Sequence, residues 1–304
     1  MVTTTSRRRL FQSAAGVALA GSRLSAAVSP ALPTVRLGSH DITRLIIGSN
    51  PFNGYSYGIY SLDHHMREWS TEENIAKTLR MAEQSGINTH QFSYNPKGMA
   101  GLKRHQAEGG KLNWILLGGG EMKDNLALIP QTAKLGPLGI VHHGGVTDQR
   151  FRAGEIDKVH TFLKTVRQSG VLVGLSTHDP KIIEYVEERN WDIDFYMACF
   201  YQFSRTKEEI KQMLGELPLG KVFLEGDPAR VCKVIRATRK TCLGFKILAA
   251  GRSAESPKEL EAAFRFAFDN IKPKDAVIVG MYPRFKDEVR ENADIVRRVA
   301  GLPT

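Results

Sequence analysis

From residue 43 onward, short apolar runs alternate with amphipathic segments. Eight runs predict strands: RLIIGS (44–49), NTHQFS (88–93), NWILLGG (113–119), GIVHHG (139–144), VLVGLST (171–177), FYMACFY (195–201), GFKILAA (244–250) and AVIVGM (276–281). Most are apolar at successive positions rather than at every second one, the mark of strands covered on both faces in a parallel sheet. The intervening segments follow the helical period. Ile75, Leu79 and Ala82 share one face behind Ser70-x-x-Glu73, a capping box, and Ile156, Val159, Leu163 and Val166 form a second stripe. HDPKIIEYVEE and GDPARVCKVI each set Asp and then Pro where a helix N-cap and first turn belong. Eight βα units without a Gly/Ser-rich linker predict an α/β fold, a single (β/α)8 TIM barrel over residues 31–304. A doubly wound sheet is the alternative, and no G-x-G-x-x-G follows the first strand. Residues 216–226, ELPLGKVFLEG, are extra to the period and read as an inserted loop or short strand.

Composition changes this picture mainly at the N-terminus. The chain has 304 residues, 42% hydrophobic and 24% charged, which suits an ordinary globular protein. Residues 1–30 differ: Arg7, Arg8 and Arg9 precede a mild apolar stretch from Ala14 to Gly21 and small residues at Ala26 and Ala27. That is the composition of an export signal. Arg8-Arg9-Leu10-Phe11 resembles the twin-arginine type. The resemblance implies a partner in the twin-arginine export machinery, a periplasmic or extracellular destination, and folding before export. The apolar stretch is too short to span a membrane, so no stable insertion is expected once the signal is gone. The formal charge is +10, and loss of Arg7, Arg8, Arg9 and Arg23 leaves about +6. The remaining cations are interspersed with acids. The densest group, Lys97, Lys103, Arg104, His105 and Lys111, has no interleaved aromatics, so no nucleic-acid partner is expected. Three cysteines, Cys199, Cys232 and Cys242, read as buried free thiols rather than a disulfide framework.

In a barrel of this kind the chemistry belongs to the C-terminal ends of the strands and the loops beyond them. Asn50, Gln91, Tyr94, Glu121, His142, His143, Ser176, Thr177, His178, Lys246 and Arg252 fall there. Lys246 interrupts an apolar run, where an ammonium group is expensive unless it is paired or used. A desolvated amine there would serve as general base, carbonyl-binding electrophile or anion clamp. The plainer reading is a lysine snorkelling to solvent, paired with Glu121 or Glu225. His142 and His143 are adjacent, so at most one points into the mouth unless the strand has ended. With His178 and Glu121 or Glu225 they offer imidazole and carboxylate ligands for a divalent metal, without a tight spacing motif such as H-E-x-x-H.

Four segments, VRLGSHDITRLIIGSNPFNG, AEQSGINTHQFSYN, GLSTHDPKIIEYV and VRENADIV, resemble parts of the aldo/keto reductase superfamily, spread over residues 35–300. The resemblance implies an aldo/keto-reductase-like barrel with an opening hairpin. It also implies that the family's Asp–Tyr–Lys–His tetrad is mostly gone. The Asp position holds Gln91, the Tyr position Pro96 with Tyr94 nearby, the Lys position falls near Gly118, and His142 matches. Of the nicotinamide contacts, Ser176 matches, Thr177 replaces an Asn and Lys246 replaces the stacking aromatic; near the adenine end Glu291 and Asn292 match, and Glu288 replaces the basic residue that grips a 2′-phosphate.

The expectation is an exported barrel enzyme without the redox tetrad. It would act on a small polar carbonyl or sugar-like substrate by acid/base chemistry, as an isomerase, lyase or hydrolase. Lys246 and His142 are its expected base and acid, with Tyr94 and Gln91 beside them. Asn50, Glu121, His143, His178 and Arg252 would bind substrate. Ser176, Thr177, Glu291 and Asn292 would face a nicotinamide nucleotide, and neither that cofactor nor a metal is fixed by a motif. The alternatives are an NAD(P)-dependent oxidoreductase with a remodelled site and a non-catalytic sugar-binding barrel.

Overall fold

Strands β1 (Thr34–Leu37) and β2 (His40–Thr43) pair antiparallel around Gly38, whose φ of +60° makes the tight turn. A Cβ at Gly38 would lie 2.8 Å from Leu172 Cδ2, so this hairpin packs against the start of a barrel strand and covers the N-terminal end of the barrel. The structure, a computed structural model, describes residues 31–302; the expected export signal lies outside the described residues.

The hairpin leads into eight parallel strands: β3 (Leu45–Gly48), β4 (Thr89–Ser93), β5 (Asn113–Gly118), β6 (Gly139–His142), β7 (Leu172–Thr177), β8 (Phe195–Cys199), β9 (Thr241–Phe245) and β10 (Ala276–Gly280). They pair in chain order, and β10 closes on β3 with Ile278 opposite Ile46. The interior is filled by side chains. At Gly174 a Cβ would come within 2.7 Å of both Phe195 Cζ and Val141 Cγ2, so the glycine makes room for the ring. Around the barrel run α2 (Glu72–Gln84), α3 (Pro96–Ala107), α4 (Leu128–Ala133), α5 (Gly144–Arg152), α6 (Ile156–Gln168), α7 (Pro180–Glu188), α8 (Lys207–Leu214), α9 (Asp227–Ala237), α10 (Pro257–Asn270) and α11 (Glu288–Val299). Helix α1 (Tyr60–Trp69), in the loop after β3, has no buried residue, and its apolar Leu62, Met66 and Trp69 share one face.

Several boundaries differ from the sequence expectation. The seventh barrel strand is Thr241–Phe245, and Lys246 follows it with φ +61° rather than lying within it. The apolar run outlasts the strand because Ile247 and Ala249 are buried in the following loop. GIVHHG leaves the sheet at His142. Thr71, not Ser70, caps α2, accepting from the Asn74 amide at 3.2 Å. Asp179 caps α7 as expected, whereas Asp227 is the first residue of α9 rather than its cap. Residues 216–226 contain no strand.

Asp227 instead anchors the loop after β8. It is buried and accepts from the Gln202 amide at 3.1 Å and from Arg205 Nη1 at 2.9 Å, with Arg230 alongside. Burial alone would raise its pKa, but the hydrogen bonds from Arg205 and Arg230 bring it below the usual carboxylate range. The three cysteines are free and buried, and burial pushes the thiols of Cys199 and Cys232 up to about 11 and that of Cys242 to about 12. Asp227→Ala would leave the Arg205 side chain, 8% exposed, without its counter-charge. Urea unfolding should show about 3–5 kcal/mol lost at neutral pH. Because the folded pKa is depressed, the gap to wild type should narrow as pH falls below about 3.9 and through the folded value.

Candidate active site

The C-terminal ends of the strands surround a cavity of about 490 Å³. Gln91 and Ser93 enter it from β4, Leu117 from β5, Ser176 from β7, Met197 from β8 and Phe245 from β9. His143, His178 and Lys246 reach it from the positions just beyond β6, β7 and β9, and Asn50 from the loop after β3.

The adjacent histidines part company at the end of β6. His142 turns outward, fully buried, with Nδ1 donating to Thr147 Oγ1 at 2.7 Å and its ring edge-on to Phe162 at 4.8 Å. Arg150 Nη1 donates to its Nε2 at 3.3 Å. Burial, then the charge of Arg150, lowers its pKa to about 3, so it is a neutral structural imidazole. The expected acid role for His142 has no geometry behind it. His143 is the one that lines the cavity. Burial, then His178 and Lys246, lowers its pKa to about 4, and its Nδ1 is buried without a hydrogen-bond partner. Gly119 leaves room for it: a Cβ there would sit 2.9 Å from His143 Cδ2.

Helix α5 starts immediately after His143 and carries Asp148 beneath His178. Asp148 Oδ2 accepts from His178 Nδ1 at 2.7 Å, and Oδ1 accepts the Thr177 hydroxyl at 2.6 Å and the His178 amide at 3.1 Å. A neutral imidazole facing a carboxylate must donate from that nitrogen, which leaves the Nε2 lone pair free. Burial lowers the His178 pKa, and the Asp148 hydrogen bond opposes it. The ring stacks on Phe203 at 5.7 Å and meets Phe245 edge-on at 5.5 Å. Gly144 makes this approach possible, since a Cβ would lie 2.8 Å from Ser176 Oγ and 3.2 Å from His178 Cε1.

Lys246 faces the same space. Its Nζ lies 4.6 Å from the ring centres of Tyr57 and Phe245 and 5.5 Å from that of Phe203. Among the described residues no carboxylate pairs with it, so the aromatic faces are its counterpart. Neither Glu121 nor Glu225 plays that part. The described chain has five non-glycine residues with positive φ, and Lys246, Tyr57, Ala249 and Ala250 are four of them. Such backbone costs of order 1–3 kcal/mol per residue and persists where the surroundings enforce it. Arg252 is the enforcer: Nη2 donates to Tyr57 O at 2.8 Å, Nη1 to Ala249 O at 3.2 Å, and the guanidinium lies 4.2 Å over Phe223. Arg252 therefore braces two loops and does not line the cavity, contrary to its expected place in substrate binding.

The remaining expected residues divide. Gln91 lines the cavity with its buried Nε2 unpartnered, and Asn50, Ser176, Glu291 and Asn292 also line it. Tyr94 packs half-buried against the core, outside the cavity lining. Glu121 is exposed and accepts from Asn125 at 3.0 Å. Among the described residues, no three His, Cys, Asp or Glu side chains converge to hold a metal. Two of the residues expected to face a nicotinamide nucleotide, Thr177 and Glu291, are engaged within the protein. Thr177 is turned to Asp148, and Lys286, the cavity-lining cation beside Glu291 and Asn292, is already paired with Glu291 at 2.7 Å. Asp148, Tyr57 and Phe203 were not singled out from sequence. Their proximity to His178 and Lys246 arises only when separate loops meet.

No family model matches the chain, and no curated protein matches it. Solved structures do. The apo form of Gox0644 aligns at TM-score 0.55 and 10% identity, over 90% of this chain and 95% of that one. Dihydropteroate synthase from Yersinia pestis, in complex with a sulfonamide drug, aligns at TM-score 0.50 and 10% identity, over 88% and 98%. The thermostable aldo-keto reductase Tm1743 aligns at TM-score 0.49 and 15% identity, over 90% and 96%. At these identities the likeness is one of fold alone, the closed eight-stranded parallel barrel.

Arg252→Ala removes both carbonyl contacts at once. It should lower stability by about 1 kcal/mol in urea unfolding and broaden the backbone resonances of Tyr57 and Ala249 in relaxation-dispersion NMR.

Proposed function

We propose that the protein is an acid/base enzyme that moves a proton at a carbon next to a carbonyl in a small polar, sugar-like substrate, an isomerase or lyase. The observation that carries this reading is the buried Asp148–His178 pair, set in one cavity with an unpaired lysine. His178 Nε2 takes the proton, and the electron pair of the broken C–H bond moves onto the carbonyl oxygen. The Lys246 ammonium stabilises the enolate that forms. Asp148 stabilises the resulting imidazolium and holds the ring in place. The Gln91 and His143 side chains line the same cavity and complete its polar wall. In an α-hydroxy carbonyl, passage of the hydroxyl proton to the enolate oxygen and return of the carbon-bound proton from His178 to the former carbonyl carbon give isomerisation; departure of a β-substituent with its bonding electrons gives elimination. His178 thus takes the base role expected of Lys246, and Lys246 acts as the electrophile. Export through the twin-arginine route belongs to the proposal on the strength of Arg8-Arg9-Leu10-Phe11.

Proton NMR in D₂O, with a panel of aldoses, ketoses and keto acids, tests it. Loss of the signal next to the carbonyl is expected with wild type and should slow at least about 100-fold in His178→Gln. The rate should fall as pH drops through the His178 pKa, which burial sets below the usual value of about 6.5. Unchanged exchange in His178→Gln, or none with any substrate, would overturn the proposal.

A further inference from the structure

A second, smaller chamber of about 290 Å³ adjoins the cavity and shares His178 and Tyr57 with it. One wall is a face of α5, where Gly145 and Arg152 stand seven residues apart and so on the same side of the helix. The other wall carries Phe203 and Lys221. The charges in this chamber do not balance. Asp148 is its one lining acid, and both of its oxygens are engaged by Thr177 and His178. Arg152 and Lys221 have no carboxylate within ion-pair distance among the described residues. Arg152 reaches only the Ser204 carbonyl, and Lys221 Nζ lies 5.9 Å from the Phe203 ring centre. The first turn of α5, which includes Gly145, has no acidic residue and no side-chain cap. Its amide dipoles add to the positive potential.

We propose that this chamber binds an anionic end of the substrate, a carboxylate or a phosphate monoester, with Arg152 and Lys221 as its counter-charges. This deepens the reading of the larger cavity and rests on it. His178 stands between the two spaces, so a substrate whose reacting carbon meets Nε2 extends its charged end past Phe203 and Tyr57. The substrate class becomes a carbonyl compound bearing an acid group rather than a neutral sugar.

The test titrates inorganic phosphate, and separately acetate, into the whole protein while following the His178 Cε1–H resonance, assigned by its absence in His178→Gln. Phosphate should shift that resonance saturably and move its titration midpoint upward. In the Arg152→Ala/Lys221→Ala double variant, apparent affinity should fall by about tenfold or more. Both side chains are exposed, and an unchanged urea midpoint will show that the variant folds. Saturation by phosphate alone marks a phosphate ester, and saturation by acetate as well marks a carboxylate. Saturation by neither, or equal affinity in the double variant, overturns the proposal. The base assignment is read separately by deuterium exchange in His178→Gln, so each can fail without the other.

Discussion

The Asp148 carboxylate beneath His178 is the contact around which the mouth of the barrel is arranged. Taking a carboxylate out of water costs several kcal/mol unless its lone pairs are filled. Here the Thr177 hydroxyl, the His178 amide and the imidazole fill them. Meeting that requirement demands that α5 begin directly after β6, and that Gly144 let the helix approach His178 without a side chain between them. One charge thus sets the tautomer of the ring, the start of a helix and the identity of a glycine.

Lys246 is held by different physics. It has no acid beside it, and aromatic faces flank its amine. An ion pair would have bound the charge more tightly and left it less available to a developing oxyanion. Cation–π contact holds an ammonium group while leaving its N–H donors uncommitted. The left-handed backbone at Lys246, Tyr57 and Ala249 is the associated strain, and Arg252 maintains it from outside the cavity.

The barrel was legible because eight apolar runs, separated by helical segments, have few ways to close. The site was legible only in outline, and the reason is physical. When both faces of a strand are buried, the apolar pattern loses its parity, so Ile140 and Val141 look alike although one faces the helices and the other the barrel interior. Nothing in the sequence then says which of His142 and His143 turns inward. The same loss of contrast hid the end of β9, where Ile247 and Ala249 continue the apolar run into a buried loop. Asp148 was hidden for another reason: within GGVTDQRFR it is one polar residue on a mostly polar helix. Only the return of the chain through β7, some thirty residues later, gives it a partner.

The three thiols bear on where such a chain can exist. None is cross-linked, each is enclosed by core packing, and burial keeps each in its protonated, unreactive form. The folded state therefore gains nothing from an oxidant and has little to fear from a reductant. Once folded, the chain is indifferent to the thiol–disulfide balance of its surroundings, on either side of a membrane.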